Sequence, residues 1–178
     1  LPSPGEGEIL VKVTHLSLDP YMRGRMDDVA SYAEPQKLDE TMGGGAVGEV
    51  LESRSDAFAP GDLVLGFFGW ASHGVAPAKA CRKLDPELPP STALGVLGMP
   101  GFTAWAGLEA YGKLKKGETL AVAAATGPVG SMVGQLAKLK GLRTLGIAGG
   151  PEKVGLLTDR FGFDAAIDHR AHGDAKAM

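Results

Sequence analysis

Between residues 118 and 141 the chain reads ETLAVAAATGPVGSMVGQLAKLKG. A short apolar run enters a turn holding Gly127 and Gly130, and apolar residues at helical spacing follow. A strand that turns tightly into a helix must bury one face of each against the other, which restricts the fold to a layered α/β arrangement. The pattern then repeats. RTLGIAG (143–149) and DAAID (164–168) read as strands, and VGSMVGQLAKLK (129–140) and EKVGLLTDRF (152–161) as helices, with Gly141 and Gly162 suited to the helix ends. A βαβαβ unit is predicted.

The turn has its own chemistry. Gly127 lets the backbone pass close beneath a ligand, Gly130 and Gly134 let the helix lie near the sheet, and backbone N–H groups at a helix start favour an anion. Ala125 stands where the dinucleotide fingerprint G-x-G-x-x-G has its first glycine. The turn Gly127, Pro128, Val129 and Gly130 is therefore a candidate pyrophosphate site, with an ordinary strand-to-helix turn as the alternative. NAD-binding folds place a carboxylate at the end of the second strand for the ribose 2′-hydroxyl. Here Ala148, Gly149 and Gly150 fill that place, and Lys153 follows in the next helix. An ammonium there fits a 2′-phosphate and hence NADP(H), unless Lys153 is a solvated surface lysine.

Residues 8–84 have another texture: short β-type runs, EILVKVTHL (8–16), AVGEVLES (46–53), DLVLGFF (62–68) and HGVAPAKACRKL (73–84), punctuated by glycine and proline. They predict a twisted antiparallel barrel or sandwich. Glycine supplies 27 of the 178 residues, well above the usual ~7%, so many tight turns or close backbone approaches are specified. After ELPPSTALG, where Ser91 or Thr92 is a candidate helix cap, TALGVLGMPGFTAWAGLEAYG (92–112) is apolar enough for a membrane span. Its five glycines, Pro100 and Glu109 favour buried helices at a domain junction instead. The expected division is 1–110 and 111–178.

A formal charge of -3 and a pI near 5.8 give no basic footprint for nucleic acid or an anionic membrane. The single cysteine, Cys81, rules out an internal disulfide and fits a cytoplasmic setting. His15, His73, His169 and His172 are scattered and show no zinc-ligand spacing, so no metal is expected. There is no G-x-S-x-G nucleophile elbow. The chain starts LPSPGEGE, with Leu1 rather than Met and no signal-peptide pattern, so the native start is expected to be missing.

Six segments, SLDPYMRGRM (17–26), MGGGAVGEV (42–50), GDLVLGFFGW (61–70), LGVLGMPGFTAW (94–105), AAATGPVGSMVGQLAKLKG (123–141) and AGGPEK (148–153), together resemble the zinc-independent medium-chain reductases, in particular their alkenal/one branch. The resemblance implies a GroES-like β-barrel domain and a Rossmann dinucleotide-binding domain, of which only the first βαβαβ half is present. It implies NADPH-dependent reduction of the carbon-carbon double bond of α,β-unsaturated ketones and aldehydes, without metal. A zinc-free quinone reductase and a non-catalytic dinucleotide-binding module stay open as alternatives. A complete fold of this type needs about six parallel strands, so the chain reads as a fragment, inactive on its own.

The resemblance also assigns residues. Gly127, Pro128, Val129 and Gly130 fall on the phosphate turn and Lys153 on the 2′-phosphate lysine. Met99 and Thr103 fall on the nicotinamide side, unless they simply pack a junction. Tyr21 falls on the substrate pocket, with a half-buried strand-end aromatic as the plain alternative, and Arg23 lies nearby or only supports the loop. Two positions depart from the family: His169, in IDHR, stands where relatives have a phosphate-contacting tyrosine, and His73 where they have a pocket tyrosine. The catalytic residues and the physiological substrate are not legible, and a homodimer of the full-length protein is left open.

Overall fold

The computed structural model describes residues 1–29 and 33–171; His172 lies outside them. The chain divides into two compact units, Leu1–Leu94 and Gly95–Met178. This division precedes the 110/111 boundary expected from sequence, because helix α2 (Met99–Ala106) packs on helix α3 (Pro128–Leu139) within the second unit.

The first unit is one antiparallel sheet of β1 (Glu8–Leu16), β2 (Ala46–Ser53), β3 (Leu63–Gly66), β4 (His73–Pro77) and β5 (Arg82–Lys83), in the order β4-β1-β2-β3-β5. The run 73–84 is thus two strands on opposite edges, split by a 3-10 turn at Ala78–Ala80. That connection fixes the shape of the sheet. A flat five-stranded sheet would hold its edges ~19 Å apart, whereas five residue steps that include a 3-10 turn reach only roughly 13 Å. The sheet must therefore curl towards closure, and register shifts between β1 and β2 at Leu10/Val11 and Val13/His15 supply the bend. Ile9, Val11, Val50, Val64, Phe68 and Ala78 fill the concave side. Between β1 and β2 a short helix α1 (Pro20–Arg25) starts after Asp19, whose Oδ1 accepts from Ser17 Oγ at 2.9 Å.

In the second unit β6 (Thr119–Val122), β7 (Arg143–Ala148) and β8 (Ala165–Asp168) form a parallel sheet in the order β6-β7-β8. α3 connects β6 to β7, and α4 (Pro151–Asp159) connects β7 to β8. This is the predicted βαβαβ unit. Gly141, at φ 76°, closes α3 in a Schellman motif: its N–H donates to Lys138 O and that of Leu142 to Ala137 O. The core is small: Val122, Ala125, Ala148, Leu157 and Phe163. A Cβ on Gly134 would overlap the Phe163 ring, so α3 reaches the core only because residue 134 has no side chain.

The stretch 92–112 is neither a span nor a continuous buried helix. It breaks into a 3-10 turn at Pro90–Leu94, α2 and a π turn at Gly107–Gly112, and Met99, Phe102 and Trp105 are exposed. Thr92 caps nothing, because its Oγ1 donates back to Pro89 O at 2.6 Å. Among the described residues no helix is long and apolar enough to cross a membrane.

Candidate functional site

The β6–α3 turn is tighter than its sequence suggests. β6 ends at Val122, and Ala123 to Thr126 form a turn in which Ala124 adopts a left-handed conformation, φ 48°. Ala125 is fully buried and anchors the turn by donating its N–H to Ile147 O at 3.1 Å. A Cβ on Gly130 would lie 2.6 Å from Ala124 O, so only glycine lets the first turn of α3 rest on this backbone.

One expectation changes in detail. The Gly127 N–H donates to Ala124 O at 2.9 Å and holds the turn shut, and Pro128 has no N–H. Val129 and Gly130 stand in the first turn of α3, where the helix dipole adds partial positive charge; Gly130 is buried, and neither residue lines the cavities beside the turn.

The β7–α4 connection stands beside it. Gly150, at φ 95°, is in a region open to glycine, and it turns the chain from β7 directly into α4. Lys153 thereby falls in the first turn of α4. A cavity of about 480 Å³ is lined by Ala124, Thr126 and Gly127 on one side and by Gly149, Lys153, His169 and Arg170 on the other. Its remaining lining, Ala123, Ile147 and Ala148, is apolar, so the cavity carries three basic side chains and no carboxylate. A second cleft of about 720 Å³ shares Thr126, Gly127 and Lys153 and continues along α4 to Arg160.

Glu152 and Asp159 line the second cleft, whereas the carboxylate at the end of β8 is used internally. Asp168, at the end of β8, accepts at Oδ1 from the Gly150 and Arg170 amides, both at 2.9 Å. These amides, Gly150 first, together with the adjacent His169 and Arg170, hold its carboxyl below the usual carboxylate range. Arg170 was legible in IDHR as a group beside His169 able to serve phosphate, whereas Asp168 was not legible as a site residue, since nothing in IDHR shows that its carboxylate holds backbone amides.

Met99 and Thr103 lie on α2 and line neither cavity; the Thr103 hydroxyl donates to Met99 O at 2.7 Å. In the first unit, Tyr21 is half-buried on helix α1, not at a strand end. Arg23 is exposed and pairs with Asp27 at 2.9 Å. The residue that ties down the following loop is Arg25, whose Nε donates to Glu34 O at 2.9 Å. His73 starts β4 with Nδ1 3.1 Å from Ser72 Oγ. Among the described residues no three His, Cys, Asp or Glu side chains are grouped to hold a metal ion.

Residues 1–84 match the family described as the N-terminal domain of oxidoreductase. The NADPH-dependent curcumin reductase of Escherichia coli is 50% identical over 177 residues, which cover 99% of this chain and 51% of that protein. The NADP(+)-dependent 2-alkenal reductase of Nicotiana tabacum is 43% identical over 176 residues, covering 97% and 51% respectively. The crystal structure of CurA from Vibrio vulnificus in complex with NADPH superposes with a TM-score of 0.91 at 51% identity, covering 99% of this chain and 52% of that one. Over nearly its whole length the chain is similar to an NADPH-dependent curcumin reductase and an NADP(+)-dependent 2-alkenal reductase. It spans about half the length of the curated relatives it matches.

Proposed function

We propose that this chain supplies the N-terminal domain and the first half of the dinucleotide-binding domain of a cytoplasmic NADPH-dependent reductase acting on the carbon-carbon double bond of α,β-unsaturated ketones and aldehydes. The observation that carries the reading is the 480 Å³ cavity, where Lys153, His169 and Arg170 face a glycine turn with no carboxylate among the lining residues. A pyrophosphate fits beside the glycine turn at the positive start of α3, and a 2′-phosphoryl group fits Lys153 and Arg170. A 2′-hydroxyl would find no acceptor of the kind NAD sites provide. The names of the relatives support the same cofactor and substrate class.

When bound, NADPH supplies a hydride to the β-carbon; the alkene electrons move onto the carbonyl oxygen as an enolate, and the α-carbon takes a proton. The work of this chain is orientation. It fixes the adenosine and phosphate end of the cofactor, and a fixed cofactor converts hydride transfer into a positioned, effectively unimolecular step. Tyr21, Arg23 and His73 are proposed for the substrate side and Met99 and Thr103 for the nicotinamide side; the reaction as written calls on no metal.

NADPH oxidation by the full-length protein with a simple enone, beside a quinone and a control without acceptor, tests the proposal. Turnover with the enone is expected. Consumption with the quinone alone would replace the reading by a quinone reductase, and binding without consumption would leave a non-catalytic module.

A further inference from the structure

The cavity holds its three basic side chains on two separate elements. Lys153 belongs to α4, whereas His169 and Arg170 follow β8. Their relative position depends on how the start of α4 is joined to the end of β8, and a single atom makes a double join there. Asp168 Oδ1 accepts from the Gly150 N–H, which begins α4, and from the Arg170 N–H, each at 2.9 Å. The His169 N–H donates to Ala148 O at 3.0 Å and fixes the same corner from the other side.

Gly149 lies between the two arms. A Cβ built on it would stand 2.7 Å from Arg170 Nε and 2.8 Å from His169 Nε2. Both nitrogens therefore lie across the bare Cα of residue 149, in the cavity that Lys153 also lines. Where dinucleotide sites for a free ribose hydroxyl carry an acid at the end of the second strand, this chain has Ala148, Gly149 and Gly150, and the carboxylate of Asp168, at the end of the third strand, is turned onto backbone amides.

We propose that Asp168 is a positioning residue for phosphoryl selection: by clamping the Gly150 and Arg170 amides it sets Arg170, with Lys153, at the spacing that grips the 2′-phosphoryl group of the cofactor. Arg170 is thereby a specificity-determining residue. A guanidinium presents its donors in a planar fork that matches a phosphoryl group in two places at once.

The inference rests on the NADPH reading above. Its test uses the full-length protein and two nucleotides that differ only by the 2′-phosphoryl group, adenosine 2′,5′-bisphosphate and 5′-AMP, titrated calorimetrically at one fixed pH. The wild type is expected to prefer the bisphosphate. Arg170→Ala is expected to lose roughly tenfold of that preference, while 5′-AMP binding is unchanged. Asp168→Ala should lose a similar factor, and Asp168→Asn, whose carbonyl oxygen still accepts both amides, should restore most of it. No preference in the wild type would overturn the NADPH reading itself. A wild-type preference that survives intact in Arg170→Ala, an exposed substitution that leaves the core untouched, would overturn the inference alone. So would Asp168→Asn falling as far as a folded Asp168→Ala.

Discussion

The two units bury their cores by opposite means. In the first, a curled sheet packs against itself, and aliphatic residues from β1, β2 and β3 share the work with Phe68 and Ala78. In the second, Phe163 and Leu157 are the large buried side chains among Val122, Ala125 and Ala148, with Leu120, Val133, Phe161 and Ala166 partly buried around them, and Gly134 and Gly146 are spaces into which those two side chains fit. A Cβ on Gly146 would stand 2.7 Å from Leu157 Cδ1 and 3.0 Å from Phe163 Cδ1. The first unit therefore spreads the cost of any truncation over many neighbours, and the second concentrates it. A separate glycine, Gly130, brings the start of α3 onto the β6 turn.

The largest effect that would break this comparison is at Phe163. Phe163→Ala should destabilise the second unit by about 3–5 kcal/mol, against about 0.5–1.5 kcal/mol for Ile9→Val in the first, both read from urea-denaturation midpoints. Comparable losses at the two positions would show that the second core is not centred on the ring. Next in size is Lys153→Ala, which should weaken NADPH binding roughly 10-fold to 150-fold, about 1.5–3 kcal/mol, and leave NADH nearly unchanged. Equal losses for both nucleotides in a binding titration would mean that Lys153 does not meet the 2′-phosphoryl group.

A smaller effect sharpens the picture of the turn. Ala124 is left-handed at φ 48°, a conformation that costs an L-residue roughly 1–2 kcal/mol and glycine almost nothing. Ala124→Gly should raise the midpoint of thermal unfolding, by less than this full amount because glycine also frees the unfolded chain. A lower midpoint would show that the Ala124 methyl group makes packing contacts worth more than the strain.

How much of this could be read from the residues differs between the units for a physical reason. In the second, each strand-to-helix step is set by its own neighbours: the Gly141 cap, the glycine pair at 149–150 and the prolines that open α3 and α4 all act within a few residues. The sequence boundaries of α3, β7 and β8 accordingly lie within one or two residues of those found. In the first, the split of 73–84 depends on edge-to-edge closure of the sheet, which no local pattern encodes, so Ala78–Ala80 reads as strand. The turn at 127–130 was legible from its glycines. That the Gly127 amide is consumed within it, and that Asp168 points inward, depends on hydrogen bonds between segments distant in sequence.

The smallest effect concerns a tie that is electrostatic rather than apolar. Asp164, just before β8, accepts from the Thr144 N–H at 2.7 Å and the Thr144 hydroxyl at 3.1 Å, and pairs with Lys138 of α3. Lys138 first, and then the Thr144 amide, bring its carboxyl down from the ordinary 3.8 to about 2. A carboxyl depressed in the folded state adds stability that is fully present above its unfolded value and disappears as pH falls through the folded one. The window is therefore from near 3.8 down to about 2. The pair is part exposed, so salt screens some of it. Thr144 is fully buried, so Asp164→Asn should keep a hydrogen-bond acceptor for it while removing the charge. The variant should lose part of the acid-dependent slope in stability between pH 4 and 2 and change little at pH 7 beyond the loss of the Lys138 pair. An unchanged slope would place the acid sensitivity of the second unit elsewhere, with Asp168, whose carboxyl is also held low by backbone amides, as the next residue to replace.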